Sequence, residues 1–131
     1  MEAVLKIWDE TPGHGRRAAA QLTLASERIT AADLIRRRVE GEVAAHNSKT
    51  DAVFQGLVQP TDSERVLNGF KLKKSRKLDP ENQAKAALEA FRNNGFVLLF
   101  DDRQIEDEDE ILTVTPASEA TFLKLVPLVG G

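Results

Sequence analysis

The sequence predicts an α+β fold: a mixed β-sheet packed on one helix, with a helical insertion between that helix and the third strand. Three observations carry this expectation. Two apolar segments flank a glycine-rich turn near the start and read as a β-hairpin. A capped amphipathic segment follows at once. Compact apolar runs then return in the last third of the chain, after a long stretch of mixed pattern. A helix laid across a sheet is one of the few layer solutions that bury both apolar faces in one core. The 131 residues suit a single domain, residues 1–131, large enough to bury a core without staples.

The elements follow in order. AVLKIWDET, Ala3 to Thr11, alternates as a strand with Leu5 and Ile7 on one face and Val4, Lys6 and Trp8 on the other. PGHGR is the turn, and RAAAQLTLAS is the second strand, with Leu22 and Leu24 on one face. Thr30 caps the next helix, with Asp33 three residues on, and Ile35, Val39 and Val43 form its apolar stripe, widened by Leu34. That helix is expected to fray near HNSKT. Residues 51–94 form the predicted insertion. AVFQGLV reads as a short strand or buried loop, and PTDSERVLNGF as a short helix capped by Thr61 or Asp62 and stopped by Gly69. Asp79-Pro80 starts a second helix whose Ala84, Ala87, Leu88 and Phe91 share a stripe, closed by Asn94-Gly95. FVLLF, Phe96 to Phe100, is an apolar strand. DDRQIEDEDE is a charged turn with Ile105 inward, and ILTVTPASEAT is loop and short elements. FLKLVPL is the last strand, ended by Pro127.

Composition excludes several functions. With no cysteine there is no disulfide, thiolate metal site or cysteine nucleophile. A net charge of −3 argues against general binding to nucleic acid or anionic lipid. The first residues lack a signal-peptide pattern, and no apolar run approaches the roughly 20 residues that span a bilayer. A cytoplasmic chain is expected. His14 and His46 lie far apart, without metal-ligand spacing. No acid–base pair is placed for catalysis, so no catalytic residue, bound cofactor or metal is expected, and the chain does not read as an enzyme.

The stretch LLFDDRQIEDEDEILTVTPASEATFLKLVPLVGG carries a resemblance. An apolar strand leads to Arg103-Gln104, then Ile105-Glu106-Asp107; Glu119 and Thr121 precede the last strand, and Gly130-Gly131 ends the sequence. Laid without a gap, it resembles the end of ubiquitin. The hairpin and TAADLIRRRVEGEV are similar to ubiquitin's beginning, so the likeness covers roughly two-thirds of the chain. The resemblance implies a ubiquitin-like β-grasp fold and a flexible Gly-Gly tail over residues 127–131. It implies a protein modifier. An activating enzyme uses ATP to adenylate the Gly131 carboxylate, the acyl group passes to an enzyme cysteine, and a conjugating enzyme joins it to a target amine as an isopeptide bond. A deubiquitinase-like metalloprotease would reverse the step. Gly130 and Gly131 suit a narrow channel because neither carries a Cβ.

Two departures stand beside this. Residues 51–94 have no counterpart in ubiquitin, and Pro127 and Val129 replace arginines there. An activating enzyme for this chain must therefore read an apolar tail: Pro127, Leu128 and Val129. LVPLVGG is also similar to the ending of bacterial sulfur carriers, whose terminal glycine becomes a thiocarboxylate. The chain also resembles the ubiquitin-like proteins of bacterial conjugation operons, which include antiphage defence systems, and the long insertion favours a modifier over the usually compact sulfur carriers. A β-grasp interaction module with an inert tail is the third reading.

Leu99 stands where ubiquitin centres its docking patch, and Phe122 and Val126 are expected to join it, with Leu123 and Leu125 inward. An inward Lys124 is judged too costly for an unpaired charge. The insertion could equally bury this face. KLKKSRK, with five basic residues in seven, reads first as a solvated loop and otherwise as an RNA contact or a dock for an acidic partner; without an interleaved aromatic platform, in an acidic protein, the RNA contact is weakly supported. DDRQIEDEDE carries seven carboxylates in ten residues without a calcium-loop pattern and reads first as a solvated acidic face, otherwise as one that steers a basic partner.

Overall fold

The computed structural model describes residues 2–49, 52–66, 69–74 and 76–125. In chain order the elements are β1 (Ala3–Thr11), β2 (Gly15–Leu24), β3 (Arg28–Thr30), α1 (Ala31–Lys49), β4 (Val53–Phe54), β5 (Ser63–Val66), β6 (Gly69–Leu72), α2 (Pro80–Arg92), β7 (Phe96–Phe100), β8 (Arg103–Ile105), β9 (Ile111–Thr113) and β10 (Glu119–Lys124). The fold is α+β, with a mixed sheet and two helices among the described residues. The chain divides into two compact units, residues 1–34 with 91–131, and residues 35–90.

The first unit holds a five-stranded sheet in the order β2-β1-β10-β7-β8. β1 and β10 run parallel in its middle, and the other pairs are antiparallel. Period-two alternation puts Leu5 and Ile7 of β1, Ala120 and Phe122 of β10, and Phe96, Leu98 and Phe100 of β7 on one buried face. The Phe96 ring lies 5.5 Å from that of Phe122 and 6.0 Å from that of Phe91. Each such side chain, fully buried, is worth about 1.5–3 kcal/mol. Asp101 and Asp102, with φ of 50° and 66°, make the two-residue turn between β7 and β8, a conformation that short acidic side chains tolerate.

β3 pairs with β9 and brings the start of α1 to the 106–110 loop. The Ala31 and Ala32 amides donate to the carbonyls of Glu110 and Glu108 at 3.0 and 2.8 Å. Thr30 Oγ1 accepts from the Asp33 amide at 3.1 Å, the cap its position predicted. Three of the four orphan donors at that terminus thus have partners.

The second unit contains a three-stranded antiparallel sheet, β4-β6-β5, most of α1 and most of α2. Here the sequence reading needs one correction. PTDSERVLNGF is not a helix: residues 63–66 and 69–72 are strands of one sheet. Asp62 takes φ 53° before β5 and Gly69 φ 146° at the start of β6, while Phe70 and Leu72 alternate inward. α1 ends at Lys49, within the HNSKT stretch where its end is expected. The Asn47 amide side chain both donates to the Leu78 carbonyl (2.9 Å) and accepts from its amide (2.7 Å). His46 is buried edge-on against Phe54, with Nε2 3.1 Å from the Arg76 carbonyl. These bonds hold the last turn through Lys49. α2 begins as expected: Asp79 Oδ1 accepts from the Glu81 amide at 3.0 Å. Beyond its end, Asn94, at φ 58°, is the left-handed residue.

Among the described residues no helix is long and apolar enough to cross a membrane.

Candidate docking face

The strand registers define the second face of the five-stranded sheet. Trp8, Thr121, Leu99 and Gln104 stand side by side across β1, β10, β7 and β8. The next row pairs Leu123 with Val97. Leu99, Val97 and Leu123 are half-buried, and Leu125, one residue past β10, is 42% exposed. Apolar side chains on four neighbouring positions of a half-solvated face make a continuous surface rather than isolated exposures.

A polar cluster borders it. The Trp8 indole N–H donates to Glu119 Oε2 at 2.7 Å. The Arg16 guanidinium carbon lies 4.4 Å from the centroid of the Trp8 ring, its Nη2 donates to Thr121 Oγ1 at 3.3 Å, and it approaches the Glu119 carboxylate at 3.7 Å. A cation over an indole at a partly exposed site contributes about 0.5–1 kcal/mol. The cluster ties Trp8, Arg16, Thr121 and Glu119 together beside the half-buried Leu99.

Phe122 does not belong to this face. It is fully buried, and the expectation of an outward Phe122 with inward Leu123 and Leu125 is overturned. The reason is Asp9. Its carboxylate, on the core side of β1 and itself buried, meets Lys124 Nζ at 3.4 Å. The inward lysine is therefore paired, its long stem covering apolar surface while its tip reaches the carboxylate. With that register Leu123 and Leu125 replace Phe122 beside Leu99. The gapless alignment of β10 already contained the signal; the lysine's partner, on the first strand, did not show in local pattern.

Val126, Pro127, Leu128, Val129, Gly130 and Gly131 lie outside the described residues. Lys71, Lys73, Lys74 and Lys77 of the basic segment are exposed. Of the acidic loop, Glu108 accepts from Arg92 Nε and Nη2, each at 3.0 Å, and Glu110 accepts from Arg103 Nη2 at 2.6 Å. The Glu110 hydrogen bond, aided by its charge, raises the Arg103 pKa above the ordinary arginine value. Among the described residues no cluster of potential metal ligands occurs. Comparison with protein-family models, curated proteins and solved structures gives no match to this chain.

Proposed function

We propose that the chain is a ubiquitin-like modifier of bacterial type, built on a β-grasp fold and activated at the Gly131 carboxylate. The observation that carries the reading is the strand order β2-β1-β10-β7-β8 about a parallel β1–β10 pair, with a helix directly after the first hairpin and its flanking strand β3. This order is compatible with the β-grasp fold that the resemblance to ubiquitin implies, and in the sequence VPLVGG follows Leu125, just after the central strand β10.

The chemistry follows from the carboxylate. A free carboxylate resists attack by amines. Attack of its oxygen on the α-phosphorus of ATP releases pyrophosphate and gives an acyl-adenylate. An activating-enzyme thiolate then displaces AMP, and a target amine, presented by a conjugating enzyme, displaces the thiol. Two glycines let this terminus thread a narrow site, and Pro127, Leu128 and Val129 give the activating enzyme an apolar tail to read. The chain itself supplies only the acyl group, so it is not the catalyst, and it acts where ATP and reduced thiols are found, in the cytoplasm. The Leu99–Leu123–Leu125 face is the surface by which activating, conjugating and deconjugating enzymes would hold it.

The sulfur-carrier reading retains one favouring feature, the proline-bearing apolar tail. The test is a thioester trap. Tagged protein incubated with host lysate and ATP forms an adduct that dithiothreitol cleaves, and a chain lacking Gly130 and Gly131 forms none. An adduct formed equally by the truncated chain would sink the proposal.

A further inference from the structure

β7 is longer than its neighbour. β8 pairs with it at Leu98, Leu99 and Phe100, through Ile105, Gln104 and Arg103. At Phe96 and Val97, β7 is paired to β10 on one side, and no strand among the described residues continues the ladder on the other. The chain leaves the sheet after Ile105, and a groove of about 400 Å³ opens beside this vacant edge. Phe91, Phe96, Val97 and Ile105 line it together with Glu106 and Asp107; Val97 is half-buried, the other three apolar residues are buried, and both carboxylates are exposed.

The rim is fixed before anything binds. Glu108 and Glu110 accept the first amides of α1 through their carbonyls, and their carboxylates hold Arg92 and Arg103. Arg92, the cation lining the groove, is thus occupied. Glu106 has no ion pair among the described residues. Asp107 has none either, although its Oδ1 accepts the Asp109 amide at 2.8 Å. Two exposed carboxylates beside the half-buried Val97 suit a side chain with an apolar stem and a cationic tip. The unpaired edge of β7 suits an extended backbone. An acidic segment would meet like charge, and an apolar one would desolvate the carboxylates without compensation.

We propose that this groove docks a lysine- or arginine-bearing extended segment of a partner protein, independently of any chemistry at Gly131. Because the rim is preorganised, little ordering free energy opposes binding. The test is an NMR titration of the ¹⁵N-labelled full chain with the peptide Val-Lys-Val-Lys-Val and with its glutamate counterpart, at physiological salt. Expected are amide shifts at Phe96, Val97, Gln104, Glu106 and Asp107 with the lysine peptide only. The Glu106→Gln, Asp107→Asn double variant, changed only at exposed positions, should keep the remaining spectrum and bind about tenfold more weakly. No shift, equal response to the glutamate peptide, or shifts as large at Asp101 and Asp102 would overturn the proposal. Concentration-dependent self-association, lost in the double variant, would instead assign the groove to the Lys71–Lys77 segment of a second copy and equally overturn it.

Discussion

Replacing Phe122 by alanine is the sharpest probe of how β10 is seated. Phe122 has no exposed surface, and its ring lies against Phe96 on the middle strand of the sheet. Removing a core phenylalanine costs about 3–5 kcal/mol, the spread reflecting how far the site collapses. A domain of this kind is stable by about 5–15 kcal/mol, so the loss is a large fraction of the total. Leu123, the next residue, faces the other way and is half-buried; its truncation should cost about 1 kcal/mol or less, in proportion to the smaller area it removes from water. The assay is urea denaturation followed by fluorescence of Trp8, the single tryptophan and a member of the same sheet. The reverse order, with Leu123→Ala costing several kcal/mol and Phe122→Ala almost nothing, would refute the register and with it the Leu99–Leu123–Leu125 face.

Other outcomes follow from the same geometry. Leu99→Arg should change the urea midpoint little yet reduce the partner protein recovered in cross-linking from the host, since a half-buried face residue can turn its charge to water. Asp9→Ala and Lys124→Met should each destabilise, and the double-mutant cycle should return a coupling of about 1 kcal/mol or more for a pair this shielded; a coupling near zero would separate Lys124 from Asp9. Thr30→Ala removes the α1 cap and should cost about 1 kcal/mol, with Thr30→Ser close to wild type. Gly69→Ala should destabilise the second unit by about 1–3 kcal/mol, because φ is 146° and a Cβ would stand 2.5 Å from the Phe54 carbonyl oxygen; hydrogen exchange of the β4–β6 amides reads this locally.

The parts legible in the sequence were those whose signals are local. β1 alternates over nine residues, α2 opens with Asp79-Pro80, and β7 is an unbroken apolar run; their bounds follow from period and cap chemistry. The 63–72 hairpin was not legible as such. Its strands are only four residues long, too short for a period to declare itself, and β5 offers Ser63, Glu64 and Arg65 where an alternating strand would show apolar residues. The contacts that hold the end of α1 do not show in local pattern either. His46 and Asn47 are poor helix formers in isolation, and what secures them is the backbone of residues 76–78.

For the candidate face the failure was more specific. Leu99 was placed by the alternation of β7 alone. Leu123 and Leu125 needed the register of β10, and that register turns on whether an inward Lys124 can be tolerated. The answer lies in Asp9, at the opposite end of the chain, brought beside β10 by parallel pairing. A charge penalty weighed without its distant partner pointed the strand the wrong way. The last strand also starts earlier than expected, at Glu119, because Asp101 Oδ1 accepts the Glu119 amide at 2.9 Å and locks the strand's entry to the β7–β8 turn.

The most direct test of the modifier reading is mass spectrometry of the tagged chain purified from its native host, beside a chain lacking Gly130 and Gly131. The reading predicts peptides in which Gly131 is joined through an isopeptide bond to a lysine of another protein, and their loss in the truncated chain. Replacement of one terminal oxygen by sulfur, or only a free carboxylate under stress conditions with the neighbouring genes expressed, would contradict it.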